Sequence, residues 1–220
     1  MKQYAVALAI SAAVALPAAH AAPLLADDFE AGLGGWVEKG GGAVATEAET
    51  IADPLAAGNN VLRFKVLNSG GSILSTAVFG AAATYTIEFD YLGLATPGAA
   101  SVPDNFGGFL GIGGLAGDPC NCWLAGTAAG YVTNPLFQPL VHLIDDGAWH
   151  HYAITFTAPP GPFPGGFRIM VEDFSGSGGI AGDAYFDNIS IAAIPEPGTY
   201  ALLLVGLGLL GMTARGHRRG

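Results

Sequence analysis

The stretch TYTIEFDYL, residues 84–92, alternates apolar and polar side chains along its whole length. A period of two is typical of a β-strand with one buried face and one exposed face. The buried face would carry Tyr85, Ile87, Phe89 and Tyr91, and the exposed face would carry Thr86, Glu88 and Asp90. The stretch therefore predicts a half-buried β-strand.

The same alternation recurs along the chain, in VLRFKV (61–66), HHYAITFTA (150–158), FRIMVEDF (167–174) and DAYFDNISI (183–191). The intervals hold glycine, proline and small polar residues, which favour turns. With 34 Gly, 14 Pro and only 12% charged residues, the composition favours short strands over helices. We expect an all-β fold, an antiparallel β-sandwich, over residues 22–193.

The charge of this span is strongly acidic. Four of the eight basic residues and all but one of the 18 acidic residues lie between Ala22 and Ala193, which gives a net charge of −13. Such a surface repels phosphate backbones, so we expect no nucleic-acid partner. It is compatible with cations and neutral sugars, and equally with a surface that serves only solubility.

The N-terminus has the three parts of a secretory signal peptide. Lys2 precedes an apolar run from Tyr4 to Leu16, and Ala19-His20-Ala21 supplies a small-residue cleavage site. We predict a signal peptide over residues 1–21 and an exported mature chain.

The C-terminus, residues 194–220, also has three parts. A rigid motif of Pro195, Glu196 and Pro197 precedes an apolar run at 200–214 and a basic tail at 215–220 that contains Arg215, Arg218 and Arg219. As a helix the run would be about 22 Å long, against a hydrocarbon core of roughly 30 Å. It predicts a single short transmembrane helix, with the arginines as cytoplasmic stop-transfer residues. An ordinary tail anchor is the alternative.

The order and spacing of these parts resemble a PEP-CTERM sorting signal, here PEPGTYALLLVGLGLLGMTARGHRR at residues 195–219. The resemblance implies a Gram-negative bacterial protein that a membrane-embedded exosortase processes near Pro195-Glu196-Pro197. The membrane helix would then hold the protein transiently at the inner membrane before transfer to the cell surface or release. Such proteins are associated with exopolysaccharide and biofilm.

The edges of the domain, LLADDFEAGLGGW (24–36) and GDAYFDNISI (182–191), are similar to jelly-roll, galactose-binding-like modules of carbohydrate-active proteins. DGAWHHY (146–152) also resembles concanavalin-like and laminin-G-like sandwiches. The jelly-roll resemblance implies that the first and last strands lie together and that a structural Ca²⁺ joins them. Glu30 and Asp187 are the matching ligands, with ordinary surface carboxylates as the alternative.

Residues 96–140 are glycine-rich and contain several aromatic residues, so we interpret them as one long loop of functional type. Trp123 and Tyr131 are candidates for stacking on sugar rings, unless the aromatic residues of this segment cap the core. The same segment holds the two cysteines, Cys120 and Cys122. In an oxidising compartment they predict a loop disulfide, with intermolecular pairing as the alternative.

No arrangement of residues in the sequence matches a catalytic site. Acidic residues are so frequent that a carboxylate pair among Glu88, Asp90, Glu172 and Asp173 is expected by chance. We therefore expect a noncatalytic exported surface or matrix protein that binds polysaccharide. The alternative is a secreted glycan-active enzyme, a hydrolase or a lyase, whose carboxylates the sequence does not identify.

Overall fold

The structure is a computed structural model that describes residues 22–65, 71–94, 107–114, 121–127, 140–173 and 184–195. Twelve strands and one 3₁₀ turn, Val44–Thr46, are described in these ranges. The strands are β1 Leu25–Asp27, β2 Trp36–Glu38, β3 Ala48–Ala52, β4 Asn60–Phe64, β5 Gly71–Ser75, β6 Thr84–Gly93, β7 Gly108–Gly113, β8 Asn121–Gly126, β9 Val141–His142, β10 Trp149–Thr157, β11 Arg168–Asp173 and β12 Ala184–Ala193.

The strands form two sheets that pack face to face. The first has the order β10-β6-β12-β4-β3, with β1 also paired to β12, and the second has the order β2-β5-β11-β7-β8-β9. Every pairing is antiparallel except β8 with β9. The predicted all-β sandwich is confirmed, and the first strand lies against the last one as the jelly-roll resemblance implies.

Strand β6 shows why the sequence folds in this way. Its alternating residues Tyr85, Ile87, Phe89 and Tyr91 are all buried in the main core cluster. On the opposite face Thr86 and Glu88 are partly or fully exposed. The sheet therefore presents one apolar face to its partner, and burial of that face drives the two sheets together.

Aromatic side chains fill the space between the sheets. Phe186 of β12 lies 5.2 Å from Tyr91 and 6.3 Å from Phe89, measured between ring centroids. Tyr85 lies 5.2 Å from Phe167 in a T-shaped contact. Such edge-to-face pairs add to the free energy gained from burial alone.

The segment 96–140, interpreted from the sequence as one loop, contains two strands, β7 and β8. That interpretation was wrong because glycine normally disfavours a strand interior, and β7 has the sequence GFLGIG. Its glycines are explained by packing, because side chains of the neighbouring strands lie close against them.

The hydroxyl of Tyr91 connects three segments at one end of the sandwich. It donates a 2.7 Å hydrogen bond to Oδ1 of Asp145 and accepts a 3.3 Å bond from the backbone N–H of Gly108. Burial raises the pKa of Asp145, and this hydrogen bond opposes the rise.

The Tyr91→Phe variant is expected to lose about 1–2 kcal/mol of unfolding free energy, because both hydrogen-bond partners of the hydroxyl would stay buried after it is removed. The melting temperature should fall by roughly 2–6 °C, as read by circular dichroism. Tyr152→Phe is the control, since that hydroxyl accepts a hydrogen bond from the N–H of exposed Ile144 and its loss should matter less. An unchanged midpoint for Tyr91→Phe would contradict this role.

Candidate functional site

The outer face of the second sheet carries a row of apolar side chains. Strand register aligns Val37 with Leu74, Leu74 with Met170, Met170 with Gly111, and Gly111 with Trp123. Leu74 and Met170 are buried, yet neither belongs to the two core clusters formed by the residues that the structure describes. The sandwich therefore has a second apolar layer, on the outside of this sheet.

A second row runs beside the first and adds a carboxyl group. It aligns Ser72 with Glu172, Glu172 with Phe109, and Phe109 with Gly126. The ring of Phe109 lies 5.2 Å from that of Trp123, so the two aromatic side chains are packed together. We call these outward-facing residues the Trp123 face: Leu74, Phe109, Trp123, Met170 and Glu172.

Glycines let these side chains lie flat on the sheet. A Cβ added to Gly113 would be 3.1 Å from Sδ of Met170, and one added to Gly126 would be 2.5 Å from Cδ1 of Phe109. A Cβ at Gly111 would be 2.9 Å from Cε3 of Trp123. Each glycine thus lies beneath the side chain of a neighbouring residue. That side chain covers backbone that would otherwise be exposed, because glycine has no side chain of its own.

The polar edge of this face is formed by Glu172 and Lys39. The backbone N–H of Lys39 donates to the carbonyl of Ser72, which places Lys39 beside the second row. Burial raises the pKa of Glu172 to about 7, the positive charge of Lys39 opposes the rise, and Glu47 adds to it. Burial also lowers the pKa of Lys39, partly offset by Glu172. Near neutral pH, Glu172 can therefore accept or donate a hydrogen bond.

An arrangement of this kind suits a ligand with one apolar face and several hydroxyl groups. The indole ring of Trp123 is partly exposed and offers a flat apolar surface, while Met170 and Leu74 are buried in the same row. The carboxyl group of Glu172 and the ammonium of Lys39 supply convergent hydrogen-bonding groups at its edge. Sugar rings have both properties, since their C–H faces are apolar and their rims carry hydroxyl groups.

The other residues singled out from the sequence lie elsewhere. Tyr131 and Cys120 fall outside the described residues, so stacking by Tyr131 and pairing of Cys120 stay predictions. Cys122 is buried and disulfide-bonded. Of the adjacent carboxylates, Glu172 faces outward and Asp173 is buried on the inner side, so these two do not form a pair on one face.

The two predicted calcium ligands have amide partners in the structure. Glu30 accepts 2.7 Å bonds from the backbone N–H and Nδ2 of Asn60, and Asp187 accepts a 2.9 Å bond from Nδ2 of Asn59. Burial raises the pKa of Asp187, hydrogen bonds from Asn59 and the backbone of Asn188 oppose the rise, and Asp90 and Asp28 add to it. Within the described ranges no group of three or more His, Cys, Asp or Glu side chains is placed to hold a metal ion. The calcium site stays a prediction.

A family model for the PEP-CTERM protein-sorting motif matches residues 193–219. The chain carries a PEP-CTERM motif. The resemblance found in the sequence is thereby confirmed, and the motif marks an exported protein that exosortase sorts to the cell envelope. In the part of the chain that the structure describes, no helix is long and apolar enough to cross a membrane. The predicted helix at 200–214 lies outside that part.

Solved structures similar to this chain include carbohydrate-binding modules. The C-terminal family 22 module of Clostridium thermocellum Xyn10B is 12% identical with a TM-score of 0.50, over 78% of this chain and 93% of that one. A CBM22 xylan-binding domain is 14% identical with a TM-score of 0.49, over 81% and 97%. The CBM22-1 domain of Paenibacillus barcinonensis Xyn10C is 15% identical with a TM-score of 0.47, over 80% and 97%. At such identities the likeness concerns the fold alone. No curated protein matches the chain.

Sequence reasoning identified Trp123 but missed the residues around it. In RIMVED, the sequence of β11, Ile169, Met170 and Val171 are consecutive apolar residues, so alternation does not show which of them face outward. Glu172 was noted only as one of many carboxylates. Its position between Ser72 and Phe109 follows from strand register, which the sequence of one strand does not contain.

Proposed function

We propose that the β-sandwich of this exported protein binds a polysaccharide through the Trp123 face, without catalysing its cleavage. Export and sorting follow from the PEP-CTERM motif at residues 193–219. The observation that carries the binding proposal is the register that places two partly exposed residues, Trp123 and Glu172, in adjacent rows on one face of the sheet. The fold, which a family 22 carbohydrate-binding module shares at a TM-score of 0.50, is compatible with this role.

The binding mode follows from the chemistry of the face. A sugar ring stacks on the partly exposed indole of Trp123, and the buried side chains of Met170 and Leu74 continue the same row beneath the surface. Glu172 and Lys39 bond to hydroxyl groups at the rim. Because the rest of the surface is acidic, the ligand is a neutral or weakly charged polysaccharide rather than a polyanion.

In the cell, this activity places the protein in the exopolysaccharide matrix or on the surface of a biofilm. Exosortase cuts the chain near Pro195, Glu196 and Pro197, and the freed sandwich remains with the polymer that it binds. A calcium ion between Glu30 and Asp187 would stabilise the paired first and last strands.

The proposal is tested by electrophoresis of the mature protein through gels that contain single polysaccharides. Retardation by at least one neutral polymer is expected. A reducing-end assay on that polymer separates the alternatives, since release of new reducing ends would support a glycan-active enzyme. Migration unaffected by every neutral polymer would contradict binding.

Processing is tested independently by intact mass analysis of the secreted protein. In a strain with active exosortase, the mature species is expected to begin near Ala22 and to lack the residues after the motif. The matched control is a strain without exosortase, in which the C-terminal segment should stay attached. Secreted protein that retains residues 200–220 in both strains would contradict sorting by exosortase.

A further inference from the structure

The sorting segment leaves the sandwich at a defined end. The backbone N–H of Ile194 donates to the carbonyl of Thr84, which is the first residue of β6. Thr84 pairs with Thr157 in the sheet. Just outside these two strands, the backbone N–H of Ala82 donates to the carbonyl of Ala158. We call the described segments that meet here the exit end: residues 22–24, 76–84, 157–167 and 192–195.

The exit end is uncharged, in contrast to the rest of the domain. Its four segments contain no Asp, Glu, Lys, Arg or His. Three of the five large apolar side chains that are most exposed in the described residues lie there: Leu24 at 56%, Val78 at 52% and Ile194 at 41%. In a span with a net charge of −13, such an end requires a physical explanation.

The exit end contains an open pocket. It has a volume of about 470 Å³ and is lined by residues 78–81, 160 and 163–166, which include Val78, Phe79 and Phe163. Close in sequence to these lining residues, Nη1 of Arg168 donates to the carbonyls of Ser75 and Thr76. The described residues that line the pocket are uncharged, and the charge of Arg168 lies in the strand that follows them.

The connection to the membrane is short. Only residues 194–199 separate the last strand from the predicted hydrophobic segment that begins at Tyr200. Six residues span at most about 20 Å when fully extended. The headgroup layer takes up roughly 6 Å of that distance, so the exit end is held close to the lipid surface before processing.

We propose that the exit end is a membrane-contact surface, which rests on the lipid headgroup region while the sorting segment is inserted. Leu24, Val78 and Ile194 enter the interface, where exposed apolar side chains gain free energy and uncharged segments avoid the cost of desolvating a charge. Arg168, held against the carbonyls of Ser75 and Thr76, is attracted to anionic headgroups. The contact holds the domain in one orientation relative to the membrane, with Ile194, just before the cleavage motif, at the lipid surface.

The test uses the mature chain with its sorting segment inserted into vesicles of phosphatidylethanolamine and phosphatidylglycerol, without exosortase. A fluorophore is attached at Val78→Cys, and the quencher is a spin label on the lipid headgroup. Leu24→Cys is a second probe of the same end. Ile144→Cys is the matched control, because Ile144 is 44% exposed and lies at the opposite end, where the N–H of Gly147 donates to the carbonyl of Gly93.

Quenching at positions 78 and 24 is expected to exceed that at position 144 by roughly twofold or more. Equal quenching at the two ends, or no quenching at Val78 and Leu24, would overturn the proposal. If the contact required exosortase instead of lipid, quenching would also be absent, because these vesicles contain no exosortase. Polysaccharide binding does not enter the measurement, so its outcome is independent of the proposed function.

Discussion

The Trp123→Ala variant is expected to bind polysaccharide at least about 30-fold more weakly than the wild type, which corresponds to roughly 2 kcal/mol. Trp123 contributes the largest flat apolar surface of the face, and a partly exposed aromatic side chain packed against Phe109 is typical of a residue that dominates a binding site. The measurement is affinity gel electrophoresis or calorimetry with the polymer that the wild type retains.

Trp149→Ala is the matched control. Trp149 is also partly buried, but it lies on β10 of the first sheet, where its Nε1 donates to Oδ1 of Asp53. Its removal should leave affinity unchanged. Thermal melts of both variants verify that the fold is intact. If Trp149→Ala lost binding and Trp123→Ala kept it, the binding face would have been assigned to the wrong sheet.

The fold class could be predicted because it depends on local alternation. Tyr85, Ile87, Phe89 and Tyr91 face the core as the sequence of β6 indicates. Stretches whose strand character depends on neighbours could not be predicted in this way. Gly111 suggests a loop when read alone, but it occupies a strand because the Trp123 ring lies over it.

The candidate site was harder to predict than the fold for a related reason. Trp123 was identified because large aromatic residues in glycine-rich segments are conspicuous. Leu74, Met170 and Glu172 come from strands far apart in the chain, and only the pairing of β5, β11 and β7 brings them together. Register depends on the whole sheet, so a site assembled by register is not contained in any one motif.

The Glu172→Gln variant is expected to be more stable than the wild type at pH 8, by about 3 kcal/mol or somewhat less. Burial raises the pKa of Glu172 to about 7, from an ordinary value of 4.5. Between these two values the folded protein holds a proton that the unfolded chain has released. The wild type is therefore stabilised below about pH 4.5, and this contribution is lost as the pH rises through 7.

Glutamine stays neutral at every pH, so the variant does not lose stability as the pH rises through 7. The difference in unfolding free energy between variant and wild type should be small near pH 4.5 and should grow to its full size above pH 7. Urea unfolding at a series of pH values measures it, and subtracting the wild type removes the contribution of the other carboxylates. Glu88→Gln is the control variant, because Glu88 lies on the exposed face of β6. A constant difference for Glu172→Gln would mean that Glu172 is not desolvated on the Trp123 face. The polar edge of the proposed binding site would then be incorrectly described. A solvated carboxylate would not have a pKa near 7, so it would not exchange its proton near neutral pH when a sugar hydroxyl displaces water.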